Sequence, residues 1–325
     1  MKRTIIIFLS LIFMFSACRE YIDIELDEKD KVLVLNGFIN TDSTVQINLA
    51  QSLGVLESNN NFKFISNADV VLYEDGQIKE SLQHDSNGFY SGTSRPEAGK
   101  SYEIRASAGS FEEIRSHTFI PQSVAVKELN TDFTLDSVTE QWWNPQTQQY
   151  FDTTIVRMSE DGIIDIKFED PADEKNYYFL TFSCLMPKYK WEDGYEIRIG
   201  EQMISLSYDI NALSYENFLY MRNFSGYVIS DDFFDGQTYT LSARIYSWSF
   251  TEYAYGSYNA LPLSPIYVNL HSVSEDFFNF VTSYSKYEDA AYNPFAEPVN
   301  VMSNVENGYG IFTGYSTHTD SIGFN

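Results

Sequence analysis

The chain has little cysteine and little histidine, and both shortages exclude common kinds of site. Its 325 residues include two cysteines, Cys18 and Cys184. Cys184 lies in an apolar strand pattern, where a lone cysteine is more typical of a small core residue than of a nucleophile. Four histidines are scattered along the chain, and no two of them are spaced i, i+4. A zinc site is therefore not predicted.

Cations and catalytic motifs are also scarce. Lysine and arginine number 21 against 46 acidic residues, which gives a formal net charge of −25 at pH 7. Such a surface repels phosphate groups, so nucleic acid is not predicted as a partner. The chain contains no Gly-x-Ser-x-Gly elbow, phosphate-binding glycine loop or dinucleotide fingerprint. We therefore predict neither an enzyme nor a cofactor.

The apolar stretch at the N-terminus is too short to span a membrane and predicts export instead. Two cations precede about eleven apolar residues, whereas a bilayer core needs about 20. Residues 15–18, Phe-Ser-Ala-Cys, resemble the lipobox of lipoprotein signal peptidase, although leucine is commoner than phenylalanine at the first position. We predict a signal peptide over 1–17, cleavage between Ala17 and Cys18, and acylation of Cys18. The alternative is an ordinary signal peptide with a chance cysteine.

Residues 18–31 are rich in acidic side chains and predict a lipidated tether. Acidic residues soon after a lipidated cysteine resemble the surface-export signals of Bacteroidota lipoproteins, and the alternative is a simple solvated linker. We therefore expect the protein to be lipid-anchored in the outer membrane and to face the cell surface. The periplasmic face is the alternative.

Short strand patterns bounded by turn residues fill the rest of the chain. Residues 45–49 and 68–73 alternate between apolar and polar side chains, and Glu74-Asp75-Gly76 is a typical turn. Gly99, followed three residues later by Tyr102, is echoed by Gly236 and Tyr239. Such a tyrosine braces a corner of an immunoglobulin-like sandwich. Chance similarity between two hairpins is the alternative explanation.

From this echo we predict an all-β fold of two tandem immunoglobulin- or fibronectin-like sandwiches. The N-terminal sandwich covers residues 32–124, and a C-terminal β-rich domain covers 125–325. One helix near the C-terminus elaborates the second domain. Ser272 and Glu275 form a capping-box pattern at its start, and an apolar stripe continues to about Tyr287. We expect that stripe to be core packing.

Three clusters are candidates for binding. Asp231, Asp232 and Asp235 predict turn chemistry first and calcium ligands as the alternative. Trp142 and Trp143 lie in a 130–162 insertion beside a polar hairpin tip, and we predict that they contact a partner or ligand. Core packing is their alternative. The C-terminal run around Ile311-Phe312 predicts a final strand that closes the second sandwich.

Several motifs resemble a Bacteroidota lipoprotein family catalogued as domain of unknown function 4249. They are residues 34–40, 68–76, 88–92, 170–178, 293–295 and 303–312. Its members are often encoded beside TonB-dependent outer-membrane transporters, so the resemblance implies an accessory role in nutrient capture. It brings no catalytic residues. A free-standing glycan- or peptide-binding adhesin is the alternative, and a hydrolase with paired carboxylates is a third hypothesis.

Overall fold

A computed structural model describes most of the chain beyond the tether. Cys18, Ala17 and the signal peptide lie outside the described residues. Those described are 30–54, 57, 63–133, 135–144, 148–158, 161–192, 195–210, 218–221, 226–246, 249–254, 257–260, 264–291, 293 and 295–323.

The N-terminal half forms a sandwich of short antiparallel strands. Alternating burial along β7, with every second side chain inside, is what two packed sheets require. The strands are β1 (Leu33–Asn40), β2 (Gln46–Gln51), β3 (Asp69–Glu74), β4 (Gln77–His84), β5 (Phe89–Ser91), β6 (Lys100–Ser107) and β7 (Ile114–Ile120).

One strand joins the two layers of this sandwich. β4 pairs with β3 along most of its length and with β5 at its last two residues, Gln83 and His84. A strand that changes partner in this way folds one sheet over another. Leu35 and Ile47 from one layer, and Leu72 and Ile104 from the other, meet in a single core.

The C-terminal half contains a second sandwich and a separate small sheet. Its strands are β8 (Val126–Asp132), β9 (Leu135–Asn144), β10 (Gln149–Met158), β11 (Asp161–Glu169), β12 (Tyr177–Glu192), β13 (Tyr195–Ser205), β14 (Tyr208–Ile210), β15 (Phe218–Met221), β16 (Gly226–Ser230), β17 (Thr238–Tyr246), β18 (Ser249–Ala254), β19 (Ser257–Ala260), β20 (Ile266–Val273) and β21 (Tyr309–Ile322). β14, β17, β11 and β8 form one layer, and β19, β18, β10 and β9 form the small sheet.

The second core lies between the β14-β17-β11-β8 layer and the strands β16, β12 and β20. β12 alternates, so that Tyr178, Leu180, Phe182 and Cys184 all point into this core. Cys184 is fully buried, and burial raises the pKa of its thiol to about 11. The prediction that Cys184 is a core residue is confirmed.

The opposite face of β12 packs against the helix α1 (Glu275–Ala291). Phe277 and Val281 from the helix contact Phe179 and Val228 of the sheet, so the apolar stripe is core packing as predicted. The capping position was predicted wrongly. The hydroxyl of Ser274 accepts a hydrogen bond from the Phe277 N–H at 3.2 Å, whereas Ser272 still belongs to β20.

The final strand β21 belongs to both halves of the molecule. It pairs antiparallel with β20, from Val273 opposite Tyr315 onward. It also pairs in parallel with β1, from Val34 opposite Tyr309 to Asn40 opposite Tyr315. A sheet of 13 strands therefore runs through both sandwiches. β21 does pair within the second sandwich, as expected, but it also completes the first.

The all-β, sandwich-like fold with one helix near the C-terminus is confirmed for the described residues. The predicted echo also occupies matching places. Gly99 and Gly236 both have positive φ, 78° and 67°; Gly99 directly precedes β6, and Gly236 lies two residues before the start of β17. The Tyr102 hydroxyl accepts the Glu97 N–H at 2.7 Å, as a corner tyrosine does. Tyr239 instead stacks on Phe234, with ring centroids 4.3 Å apart.

Candidate functional site

The hairpin of β9 and β10 is the segment for which we predicted a partner contact. Ten residue pairs, from Asn144–Gln149 to Leu135–Met158, hold its two strands in register. Trp143 lies opposite Tyr150, and their rings meet edge to face with centroids 5.0 Å apart. The side chain of Trp142 lies outside the described part of the molecule.

The Trp143–Tyr150 pair faces solvent. Trp143 is 49% exposed and Tyr150 is 67% exposed. None of the described β9 and β10 side chains belongs to the hydrophobic clusters of the sandwiches or the helix. For Trp143, the alternative of packing in those cores is therefore not what the structure shows. The pair forms an exposed aromatic ridge, which we call the hairpin ridge.

The fold rearranges the predicted acidic cluster. Asp231 and Asp235 meet Asp170, with carboxylate oxygens of the three within 4.8 Å of one another. Asp170 and Asp231 are buried, and burial together with the neighbouring carboxylates raises the pKa of Asp170. The sequence pattern missed Asp170, because it lies about 60 positions away in the chain.

Protein donors already satisfy the buried carboxylates of this cluster. Asp170 accepts hydrogen bonds from the Tyr178 hydroxyl and from the Gly236 N–H. Asp231 accepts the Asn176 N–H at 2.6 Å and pairs with Lys175. These bonds tie the β11–β12 turn to the β16–β17 turn, which agrees with the turn interpretation. A calcium site stays a prediction.

Asp232 takes a different place from its two neighbours in the sequence. Its carboxylate pairs with Lys175 and accepts a hydrogen bond from the Ser230 hydroxyl. Both interactions lower the pKa of Asp232, with the Lys175 bond the larger cause. Asp232 is therefore not one of the three carboxylates that meet, but Lys175, which also pairs with Asp231, links it to them.

The first sandwich carries an uncharged surface that was not predicted from the sequence. We call it the front face: it is the solvent side of β1, β2 and β5 with the flanking rings of Tyr309 and Phe64. Asn36, Asn48 and Phe89 form one row across the sheet. Val34 pairs with Tyr309 on one side and with Ala50 on the other, and Ala50 bridges to Phe64.

The front face has two shallow depressions, of about 590 and 470 Å³, and no charged side chain lines either of them. Its rings are solvent-accessible, with Phe64 48%, Phe89 40% and Tyr309 54% exposed. The Asn36 amide makes no hydrogen bond to any described residue. A neutral aromatic and amide surface is unusual on a chain with a net charge of −25, so the front face is a second candidate for binding.

No described helix is long and apolar enough to cross a membrane. In comparison with known protein families, the model of a domain of unknown function, DUF4249, matches residues 19–321. No curated protein and no solved structure matches the chain. Because the match spans nearly the whole length, the chain belongs to the DUF4249 family.

Proposed function

We propose that this protein is a non-enzymatic lipoprotein of the outer membrane, anchored through acylated Cys18. In this proposal it serves as an accessory or binding subunit of a TonB-dependent nutrient transporter. The hairpin ridge is the observation that supports it most directly. Trp143 and Tyr150 lie outside the cores and expose 49% and 67% of their surfaces.

The ridge suits a partner protein for two physical reasons. Tryptophan and tyrosine are enriched among the residues that dominate binding energy at interfaces. Ten cross-strand pairs fix the strands beneath the ridge, so little backbone freedom remains to be lost on binding.

The partner contact is tested by replacing Trp142 and Trp143 with alanine and isolating the protein from native membranes. We expect recovery of the transporter to fall at least about tenfold, the equivalent of 1.4 kcal/mol, while the thermal midpoint stays unchanged. Phe295→Ala is the matched control, because Phe295 is a 95% exposed ring that does not belong to strands β9 and β10. Unchanged recovery at unchanged stability would remove the ridge from the interface.

The anchor is tested by Cys18→Ser and metabolic labelling with a fatty-acid probe. The signal peptidase acts on the lipidated cysteine, so the variant should remain an uncut, unlabelled precursor. Two or three acyl chains hold a protein stably on a membrane, and the unlabelled variant lacks this anchor. A variant that still takes up label would contradict the lipoprotein proposal.

The front face supports a second candidate function, a free-standing adhesin for neutral glycans or peptides. Its rings offer stacking surfaces and its amides offer donors and acceptors, and no charged side chain in its depressions would lose hydration when a neutral ligand binds. Asn36→Ala and Phe89→Ala would abolish retention of the protein on a neutral glycan array under this alternative. Under the transporter proposal the same variants leave transporter recovery unchanged.

A further inference from the structure

A small aromatic cavity lies where the two sandwiches and the helix meet. Its volume is about 130 Å³. Five rings line it, and each comes from a different element: Phe38 of β1, Phe179 of β12, His271 of β20, Phe277 of α1 and Tyr315 of β21.

The rings of the cavity hold one another in place. Phe38 meets Phe277 edge to face at a centroid distance of 6.0 Å, and Phe179 stacks on His271 at 5.6 Å. Tyr315 meets His271 edge to face at 5.5 Å. Such offset and edge-to-face contacts are the favourable geometries of aromatic pairs. The cavity is therefore formed before any ligand arrives.

The lining is neutral. No aspartate, glutamate, lysine or arginine is among the lining residues. The ring nitrogens of His271 lie 3.1 Å from the Thr181 hydroxyl and 2.8 Å from the Thr317 hydroxyl. Since both ring nitrogens have hydrogen-bond partners, His271 contributes the surface of its ring to the cavity wall.

One polar group of the lining keeps an unused donor. The Tyr315 hydroxyl accepts a hydrogen bond from the Asn40 side-chain amide at 3.0 Å. Among the described residues, its own hydrogen has no acceptor. Tyr315 thus adds a hydroxyl to a lining made of aromatic rings, and sites that orient a small ligand commonly combine apolar walls with a few polar groups.

We propose that this cavity binds a small neutral ring compound of roughly phenol size, about six to eight non-hydrogen atoms. The size follows from volume and shape: an enclosed apolar cavity of about 150 Å³ holds benzene, and this cavity of about 130 Å³ is partly open, so one substituent of the ring can extend beyond it. The neutral class follows from the lining, because a charged ligand would lose its hydration without gaining an opposite charge. This site is independent of the hairpin ridge and of the proposed transporter contact.

The test uses the mature lipoprotein in lipid nanodiscs, with para-fluorophenol as the probe and fluorine NMR as the readout. Empty nanodiscs give the background from partition into lipid. We expect saturable binding to the protein and a rise in its thermal midpoint. Phe38→Trp should weaken binding at least about tenfold, because a larger ring fills the cavity.

Phe278→Trp is the matched control. Phe278 neighbours Phe277 on α1 but stacks on Tyr177, outside the cavity, so the same class of enlargement should leave probe binding unchanged. If Phe38→Trp fails to fold, crystals of the native protein soaked with para-bromophenol show whether the ring compound occupies the cavity. Anomalous bromine density within about 4 Å of Phe38 and Phe277 supports the proposal.

Three results would overturn it: probe signals that match those of empty nanodiscs, equal binding to folded Phe38→Trp, or bromine density only at other places. Displacement of the probe by tetramethylammonium would also overturn the neutral class, because aromatic cages can hold quaternary cations.

Discussion

Replacing Phe312 by alanine should destabilise both sandwiches, although Phe312 lies near the end of the chain. Its side chain is fully buried in the core of the first sandwich. Phe312 pairs with Gly37 of β1, where an added Cβ would lie 3.0 Å from the Phe312 ring. The ring thus packs directly on the β1 backbone, and its removal leaves a cavity between β21 and β1.

The expected loss is about 3–5 kcal/mol of unfolding free energy, the usual cost of truncating a buried phenylalanine to alanine. This is a large part of the roughly 5–15 kcal/mol that stabilises a typical domain. Tyr309→Ala is the matched control on the same strand. Tyr309 is 54% exposed, so its truncation should cost about 1 kcal/mol or less.

Urea unfolding followed by two probes measures the effect. All four tryptophans lie between positions 142 and 248, so their fluorescence reports on the C-terminal half, while circular dichroism reports on both halves. Because β21 pairs with β1 and with β20, Phe312→Ala should move both transitions to lower urea. A shift in circular dichroism with an unmoved fluorescence transition would refute the argument that β21 couples the two halves.

Three further predictions concern single residues. Gly310 has φ +112°, and an added Cβ would lie 1.9 Å from the Leu35 carbonyl oxygen. Gly310→Ala should therefore lower the unfolding free energy measured in urea by about 3 kcal/mol. Gly323 has open space around it, so Gly323→Ala should change the unfolding free energy little. Burial lowers the pKa of His271 from 6.5 to about 4, so on acidification the imidazole is protonated in the unfolded state before it is protonated in the folded state. About 3 kcal/mol of unfolding free energy, present above pH 6.5, should therefore be lost as pH falls towards 4. His271→Asn should reduce this dependence of the unfolding free energy on pH. Lys175→Met removes the cation beside buried Asp231 and should lower the free energy of unfolding in urea by about 1–3 kcal/mol, a solvent-screened loss. An unchanged free energy of unfolding would show that the pair is not stabilising.

Local patterns predicted the class of fold well, because strand alternation and turn residues depend on residues that are consecutive in the chain. The helix was also predictable from its stripe, but its cap was placed two residues early. Ser272 satisfies the capping-box spacing, yet it sits between Tyr178 of β12 and Ser316 of β21 in the sheet. Strand pairing on both sides extends β20 past Ser272, so Ser274 becomes the cap. A competing long-range interaction thus overrode a correct local motif.

The binding surfaces were less predictable, because they combine residues that only the fold brings together. The hairpin ridge was visible in part, since Trp143 stands beside a polar tip, but its partner Tyr150 required the β9–β10 register. Asp170 joins Asp231 only through the meeting of two turns. The cavity takes one ring from each of five elements, and no window of the sequence contains such a pattern.

Strand β21 explains why the halves of this chain are not simply two consecutive modules. A sequence shows that residues 309–322 form a strand, but the partners of a strand depend on which edges remain unpaired. Here β1 and β20 each offer one edge, and β21 pairs with β1 through its first half and with β20 through its second. The division between residues 124 and 125 therefore stays a prediction about sequence segments. In the folded protein the last strand makes the two sandwiches parts of one sheet, and it places Tyr315 beside Phe38 and His271 at their junction.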